Sequence, residues 1–215
     1  MYRLADKLLE QLKKLIRREF NRLGIIGFDE LNASRVSLET TELFGRLMRE
    51  NKRLYLKVAQ KAYDDAVAAT KAAGYEGSPE NMINEAWVVA LLGAYNFVSG
   101  YLYESEAERK RLRLGEQMMT AREYQNRMLY NDSVRRTANL WWTQTSHYML
   151  EAVDNAELEA FKDSGVKKAM WVTNMDGHEC KVCHERNGKI YSLDNWPPKP
   201  HYRCRCGKAP VPKDK

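Results

Sequence analysis

Four cysteines constrain this 215-residue chain more than any other feature. Cys180 and Cys183 form a C-x2-C pair. Twenty residues later Cys204 and Cys206 form C-x-C, with His201 three positions before Cys204. Two close sulfur pairs joined by a loop of that length suit a small metal site. Each pair sits on a tight turn, and the hairpin between them brings the turns together. Zinc takes four Cys or His ligands in a tetrahedron. The spacing therefore predicts one structural zinc held by Cys180, Cys183 and Cys206, with either Cys204 or His201 in the fourth place. Disulfides or free thiols are the plainer alternative, the former suited to oxidising compartments. A third reading makes Cys204 or Cys206 a nucleophile with His201 as its base.

The residues around these ligands also keep an order. Trp171, Thr173 and Asp176 precede the first pair, and Asn187 and Gly188 follow it. Pro197 and Pro198 precede His201, and Arg205 separates the last two cysteines. In this order and spacing, residues 171–206 resemble the C-terminal signature of the phage head morphogenesis family, the minor head proteins of the Mu and SPP1 type. The stretch departs from the usual pattern at Lys181, Asn187 and Tyr202, none of them a candidate ligand. The resemblance implies a structural virion protein without catalytic turnover. It would join the portal or the major capsid protein during head assembly in the host cytoplasm, then remain in the virion. Trp171, Thr173 and Asp176 are then expected to shape and cover the metal module.

Composition separates the chain into two parts. Residues 1–160 carry 23 Lys+Arg against 23 Asp+Glu, and residues 161–215 carry 12 against 6, so the whole net charge of +6 lies in the second stretch. We expect a mainly α protein: a helical body over residues 1–163 and a small α+β zinc-knuckle-like module over 164–215. A basic module can meet nucleic acid or an acidic protein face. Arg203 and Arg205 are its candidate contacts, and a zinc-stabilised nucleic-acid-binding module is the alternative function. A nuclease is the weaker form of that alternative, because it needs an open second metal site and a general base. No phosphate-binding G-x4-G-K-[ST] loop and no G-x-S-x-G elbow occurs in the sequence.

The body reads as consecutive helices. Leu4, Leu8, Leu12, Leu15 and Leu23 recur at helical spacing, with Leu9, Ile16 and Phe20 widening the stripe. Ser37 is a fair cap for a helix over 37–73, punctuated by Gly74 and Gly77. Ser78, Pro79 and Glu80 then signal another start. Residues 86–103 carry no charge, the lower limit of a membrane span. Glu85 and Glu104 flank them without a basic anchor, so we expect a central buried helix rather than membrane insertion. The run ERKRLRL near residue 110 reads as a solvated face, because Glu104, Glu106 and Glu108 accompany it. Helical pattern follows over 116–130, and Asp132 or Ser133 can cap a last helix to residue 163. That helix carries Trp141, Trp142 and Tyr148, and we expect one contact site for a partner at Trp141 and Trp142. His147 reads as a partnered structural histidine. Beyond Ser164 and Gly165, residues 168–173 and 189–193 read as short strands, and 209–215 as a frayed tail. Residues 1–10 lack the apolar core of a secretory leader.

Overall fold

The computed structural model describes residues 3–93, 103–174, 177, 179–201 and 204–213. Among the described residues it is mainly helical, at 71% helix in six helices, with a small C-terminal three-stranded antiparallel sheet and a cysteine cluster that could bind metal. The helices are α1 (Arg3–Ile25), α2 (Ala33–Ala72), α3 (Glu85–Gly93), α4 (Tyr103–Glu123), α5 (Arg127–Asp163) and α6 (Lys181–Arg186). The chain forms two compact units, one of Lys7–Leu54 with Val89–Ser146, the other of Met1–Asp6, Tyr55–Val88 and His147–Lys215.

In the first unit, the stripe read from the sequence becomes the buried face of α1: Leu8, Leu12, Ile16, Phe20 and Leu23 are all inside. Glu19 lies on the same buried side, held by Arg46 Nε at 3.0 Å and by Arg18 and Arg22. Aromatic rings fill the centre. Phe44 meets Phe20 and Trp141 edge-on, at 6.2 and 5.3 Å between centroids, and Tyr103 packs on Trp141 at 5.7 Å.

Two helix starts differ from the sequence reading for the same reason. Asn32 Oδ1 accepts from Arg35 N at 3.0 Å, so α2 begins at Ala33 rather than after Ser37. Asn126 Oδ1 accepts from Leu129 N at 2.9 Å and starts α5. Gln125 just before it takes φ 50°, and Asn126 N closes back on Ala121 O at 2.8 Å. The expected helix over 116–130 is therefore two helices with a turn at 124–126. Asp132 and Ser133 lie inside α5 and cap nothing. Asp132 pairs with Arg135, and Ser133 Oγ donates to Leu129 O.

In the second unit, Gly74 at φ 89° ends α2, as its position predicts. Ser78, Pro79 and Glu80 start no helix. Residues 75–84 run without helix or strand, because side chains of α2 take their polar groups. Gln60 Nε2 donates to Ile83 O, and Asn81 Nδ2 donates to Asp64 Oδ1. The cap falls instead to Asn84, whose Oδ1 accepts from Trp87 N at 3.0 Å. Helix α3 buries Val88 and Leu92 but leaves Val89 55% exposed, so this part of the uncharged stretch is not buried on all sides. Residues 94–102 lie outside the described residues. Among the described residues no helix is long and apolar enough to cross a membrane.

The last turn of α5 closes through Gly165 at φ 78°, with Val166 N donating to Phe161 O. Tyr63 OH donates to Asp163 Oδ2 at 2.5 Å, and Thr70 Oγ1 donates to Ser164 Oγ at 3.0 Å. These bonds fix the point where the sheet leaves. Its strands are β1 (Lys168–Val172), β2 (Ile190–Ser192) and β3 (Gly207–Pro210), in the order β2-β1-β3. Met170 opposes Ile190 on one side and Ala209 on the other. The alternation of β1 turns Ala169 and Trp171 inward and Lys168, Met170 and Val172 outward. The expected frayed tail is overturned. Ala209 and Pro210 belong to β3, Val211 N donates to Lys168 O, and Lys213 N donates to Ala73 O.

Candidate metal centre

Helix α6 is only six residues long, and its entry is set by a cysteine. Cys180 is the N-cap in extended backbone (φ −76°, ψ 160°), and its sulfur accepts from Cys183 N at 3.4 Å. One turn on, Cys183 is fully buried. Its Sγ lies 3.6 Å from Cys204 Sγ and 3.7 Å from His201 Nε2. Two overlapping groups result, Cys180 with Cys183 and His201, and Cys183 with Cys204 and Cys206, each with ligand atoms within 4.8 Å of one another. Cys183 is common to both.

These separations can be tested against a metal. Zinc–sulfur and zinc–nitrogen bonds of ~2.3 and ~2.05 Å in a tetrahedron place sulfurs ~3.8 Å apart, and sulfur ~3.6 Å from nitrogen. The observed 3.6 and 3.7 Å fit. A disulfide needs about 2.05 Å, and all four cysteines are free thiols. The donor set could hold a metal ion, its five candidate donors falling in two groups of three that share Cys183.

The thiols are electrostatically unequal. Burial pushes Cys183 well above the ordinary thiol value, and neighbouring Cys206, Cys180 and Cys204 add to the rise. Burial also pushes Cys204 up, against the nearby Lys199 charge. Burial acts on Cys206 too, but the Asn174 backbone N–H and the sulfhydryls of Cys183 and Cys204 outweigh it and hold that thiol low. A divalent cation supplies the positive charge that such a crowded set lacks. The His201 imidazole, named as a base for Cys204 or Cys206 in the nucleophile reading, lies 3.7 Å from Cys183, whose thiol burial pushes up.

Aromatic rings wall the centre. Trp171, Cys183, Cys204 and Cys206 form one buried cluster, with Cys180, Tyr191 and Trp196 packed on it. Trp171 and Trp196 stack at 5.5 Å with 17° between planes, and Tyr191 meets Trp196 edge-on. Thr173 Oγ1 donates to Cys183 O at 2.7 Å, and Thr173 N donates to Asn187 Oδ1 at 3.0 Å. Gly188, at φ 76°, donates its N–H to Trp171 O. Trp171 and Thr173 thus shape the C-x2-C turn. Asp176 lies outside the described residues.

The sequence reading missed a charged cluster beside the ligands. Lys208, two residues after Cys206, is fully buried on β3. Its Nζ donates to Asp154 O at 2.8 Å and to Asp154 Oδ1, and lies 3.5 Å from Glu157 Oε2. Lys199, two residues before His201, reaches Asp154 Oδ1 at 3.1 Å and the carbonyl of Cys206. Burial raises the Asp154 carboxyl, but Lys199 and Lys208 outweigh it and hold the group below the usual range. Glu157 goes the other way, because its burial prevails over Lys208. In the sequence Asp154 and Glu157 are two acids on a helix, indistinguishable from a solvated face.

The expected contact residues differ in burial and pairing. Trp141 is fully buried against Phe44 and Tyr103, so the chain's own core covers it. Trp142 is half-buried with Lys13 Nζ 5.8 Å over its ring, and is the one of the pair that solvent reaches. Tyr148 is buried. Arg205 Nη2 pairs with both carboxylate oxygens of Asp6 at 2.9 Å. Arg203 lies outside the described residues. His147 is buried and partnered, its Nε2 3.2 Å from Glu151 Oε1. No protein-family model matches the chain, and neither a curated protein nor a solved structure matches it.

Proposed function

We propose that this is a structural, non-catalytic protein whose C-terminal centre holds one zinc ion, and that it serves as a minor head protein of a phage. Zinc would be held by Cys180, Cys183 and Cys206, with Cys204 or His201 completing the set. The observation that carries the metal half is the position of Cys183 Sγ, 3.6 Å from one sulfur and 3.7 Å from an imidazole nitrogen. Thiolate and imidazole donors in a closed, ring-walled pocket suit a structural zinc over a hard cation. The ion would cross-link the two turns of a module whose strands are only three to five residues long.

The assembly half rests on the order and spacing of Trp171, Thr173, Asp176, the cysteine pairs and His201. We read the protein as joining the portal or the major capsid protein in the host cytoplasm and staying in the virion. Elemental analysis of protein purified without chelator tests the first half, with one zinc per chain expected. Co-purification with portal or capsid components from infected cells tests the second. Zinc well below one per chain would refute the metal assignment, and recovery of the protein free of every head component would refute the assembly role.

A further inference from the structure

Part of the positive charge that the sequence places after residue 160 is committed inside the fold. Lys208 and Lys199 are held by Asp154, and Arg205 by Asp6. Arg186 donates to Pro198 O and covers the Trp171 ring. A second group of cations lies elsewhere. In the unit built from Lys7–Leu54 and Val89–Ser146, α4 and α5 line a cleft of ≈ 110 Å³. Its walls bring Arg109, Lys110, Arg113 and Gln117 from α4 to Arg136 and Thr137 from α5.

The three glutamates interleaved with ERKRLRL do not neutralise this cleft. Glu104 is engaged by Lys52 and Glu108 by Arg111, neither a cleft residue. Only Glu106 meets the cleft, buried and bonded to Arg109 at 2.8 Å and Lys110 at 2.6 Å. Four cations therefore face one carboxylate. Arg113 and Arg136 are exposed and have no ion pair among the described residues.

We propose that this cleft binds the phosphates of a nucleic-acid strand. The polar groups lining it are mainly donors, and guanidinium forks match phosphate oxygens in pairs. Arg109 and Arg113 stand one turn apart, ~6 Å along α4, with Arg136 across from them. That row is longer than one phosphate and suits a repeating one. Leu140 also lines the cleft and is 54% exposed, an apolar surface for a sugar or base. The site is independent of the metal centre, so either assignment can fail without the other.

The test is fluorescence anisotropy with labelled single-stranded and duplex oligonucleotides of mixed sequence, across a salt series. Each phosphate contact contributes a salt slope of about 0.7 for a single strand or 0.9 for a duplex. Arg113→Gln with Arg136→Gln should flatten the slope by ~1.4 or ~1.8, and lower affinity on the order of 25- or 60-fold at about 0.1 M salt. Arg113→Lys with Arg136→Lys keeps the charges and should restore the slope. Lys181→Gln with Lys189→Gln removes the same charge from exposed positions and should change affinity less than about twofold. Circular dichroism melts confirm that each variant folds. The proposal is overturned by absence of salt-dependent binding in the wild-type protein, or by equal losses in the two Gln pairs. Polyglutamate displacing the oligonucleotide at equal charge concentration would also overturn it, since the cleft would then read charge alone.

Discussion

Asp154→Asn is the most telling single change in this chain. The carboxylate serves two ammonium groups, Lys199 at 3.1 Å and the fully buried Lys208. The amide keeps the volume and removes the charge, leaving both lysines with Glu157, whose Oε2 is 3.5 Å from Lys208. At an effective dielectric of 20, the Asp154–Lys199 pair at 3.1 Å is worth ~5 kcal/mol before desolvation is counted. Breaking a buried pair by removing one partner costs ~3–5 kcal/mol, because a charge stays buried without compensation. For a chain of this length each kcal/mol lowers Tm by ~2–4 °C, so the variant should melt ~6–20 °C below wild type. The assay is thermal unfolding of zinc-loaded protein, followed by far-ultraviolet circular dichroism and Trp fluorescence together. Replacing all four groups, Asp154→Leu and Glu157→Leu with Lys199→Met and Lys208→Met, should recover much of the loss, since an apolar cluster of similar volume needs no compensation. A single variant that melts within about 2 °C of wild type, well short of that range, would refute the reasoning. The lysines would then be finding water instead of the carboxylate.

Three further outcomes follow from the same geometry. Cys183→Ser removes the sulfur common to both donor groups and should take zinc well below one per chain, whereas His201→Asn or Cys204→Ser alone should retain it through the remaining donor; equal loss in all three would contradict this. Glu19 is pushed up by burial but held below the usual carboxylate range by Arg46, Arg18 and Arg22. Its contribution is therefore present above the unfolded value and lost as pH falls through the lowered folded one. Glu19→Gln should cost ~1.5–3 kcal/mol near neutrality, the difference closing in acid, and a difference that stays constant from pH 7 into acid would refute it. Trp141→Ala should cost ~3–5 kcal/mol as a core truncation, while Trp142→Ala should melt near wild type; similar melting of the two would place both rings in the core.

What could be read from the sequence was whatever had a local physical cause. The α1 stripe, the glycine stops at Gly74 and Gly165, and the alternation of β1 all follow from the chain's own periodicity or conformational freedom. The cysteine spacing carried the cluster that could hold a metal, because a close pair on a turn is itself local. What failed needed knowledge of a distant partner. Ser78 and Pro79 have the chemistry of a helix start, but Gln60 and Asn81 satisfy that segment in extended form. Asn32, Asn84 and Asn126 took the caps, with nothing in their immediate neighbours to set them above serine or aspartate. Strand β3 reads as a tail because a lysine followed by Ala and Pro is ordinary solvent-facing sequence. Only Asp154 and Glu157, some fifty residues earlier, make Lys208 a buried residue.

The strand order β2-β1-β3 also has a consequence for how the protein is made. During synthesis, Cys180 and Cys183 emerge with β1 and α6 already available, and β2 can pair with β1 at once. Cys204 and Cys206 follow about twenty residues later, roughly 1–4 s at ribosomal speed. Through that interval the nascent module has one open edge on its central strand and, at most, half of a coordination sphere. Both deficits are filled by the same short segment, since Cys204 and Cys206 run directly into β3. Arrival of the second cysteine pair and closure of the sheet thus become a single event. A chaperone or a stray thiol that engages the early pair would compete with both at once.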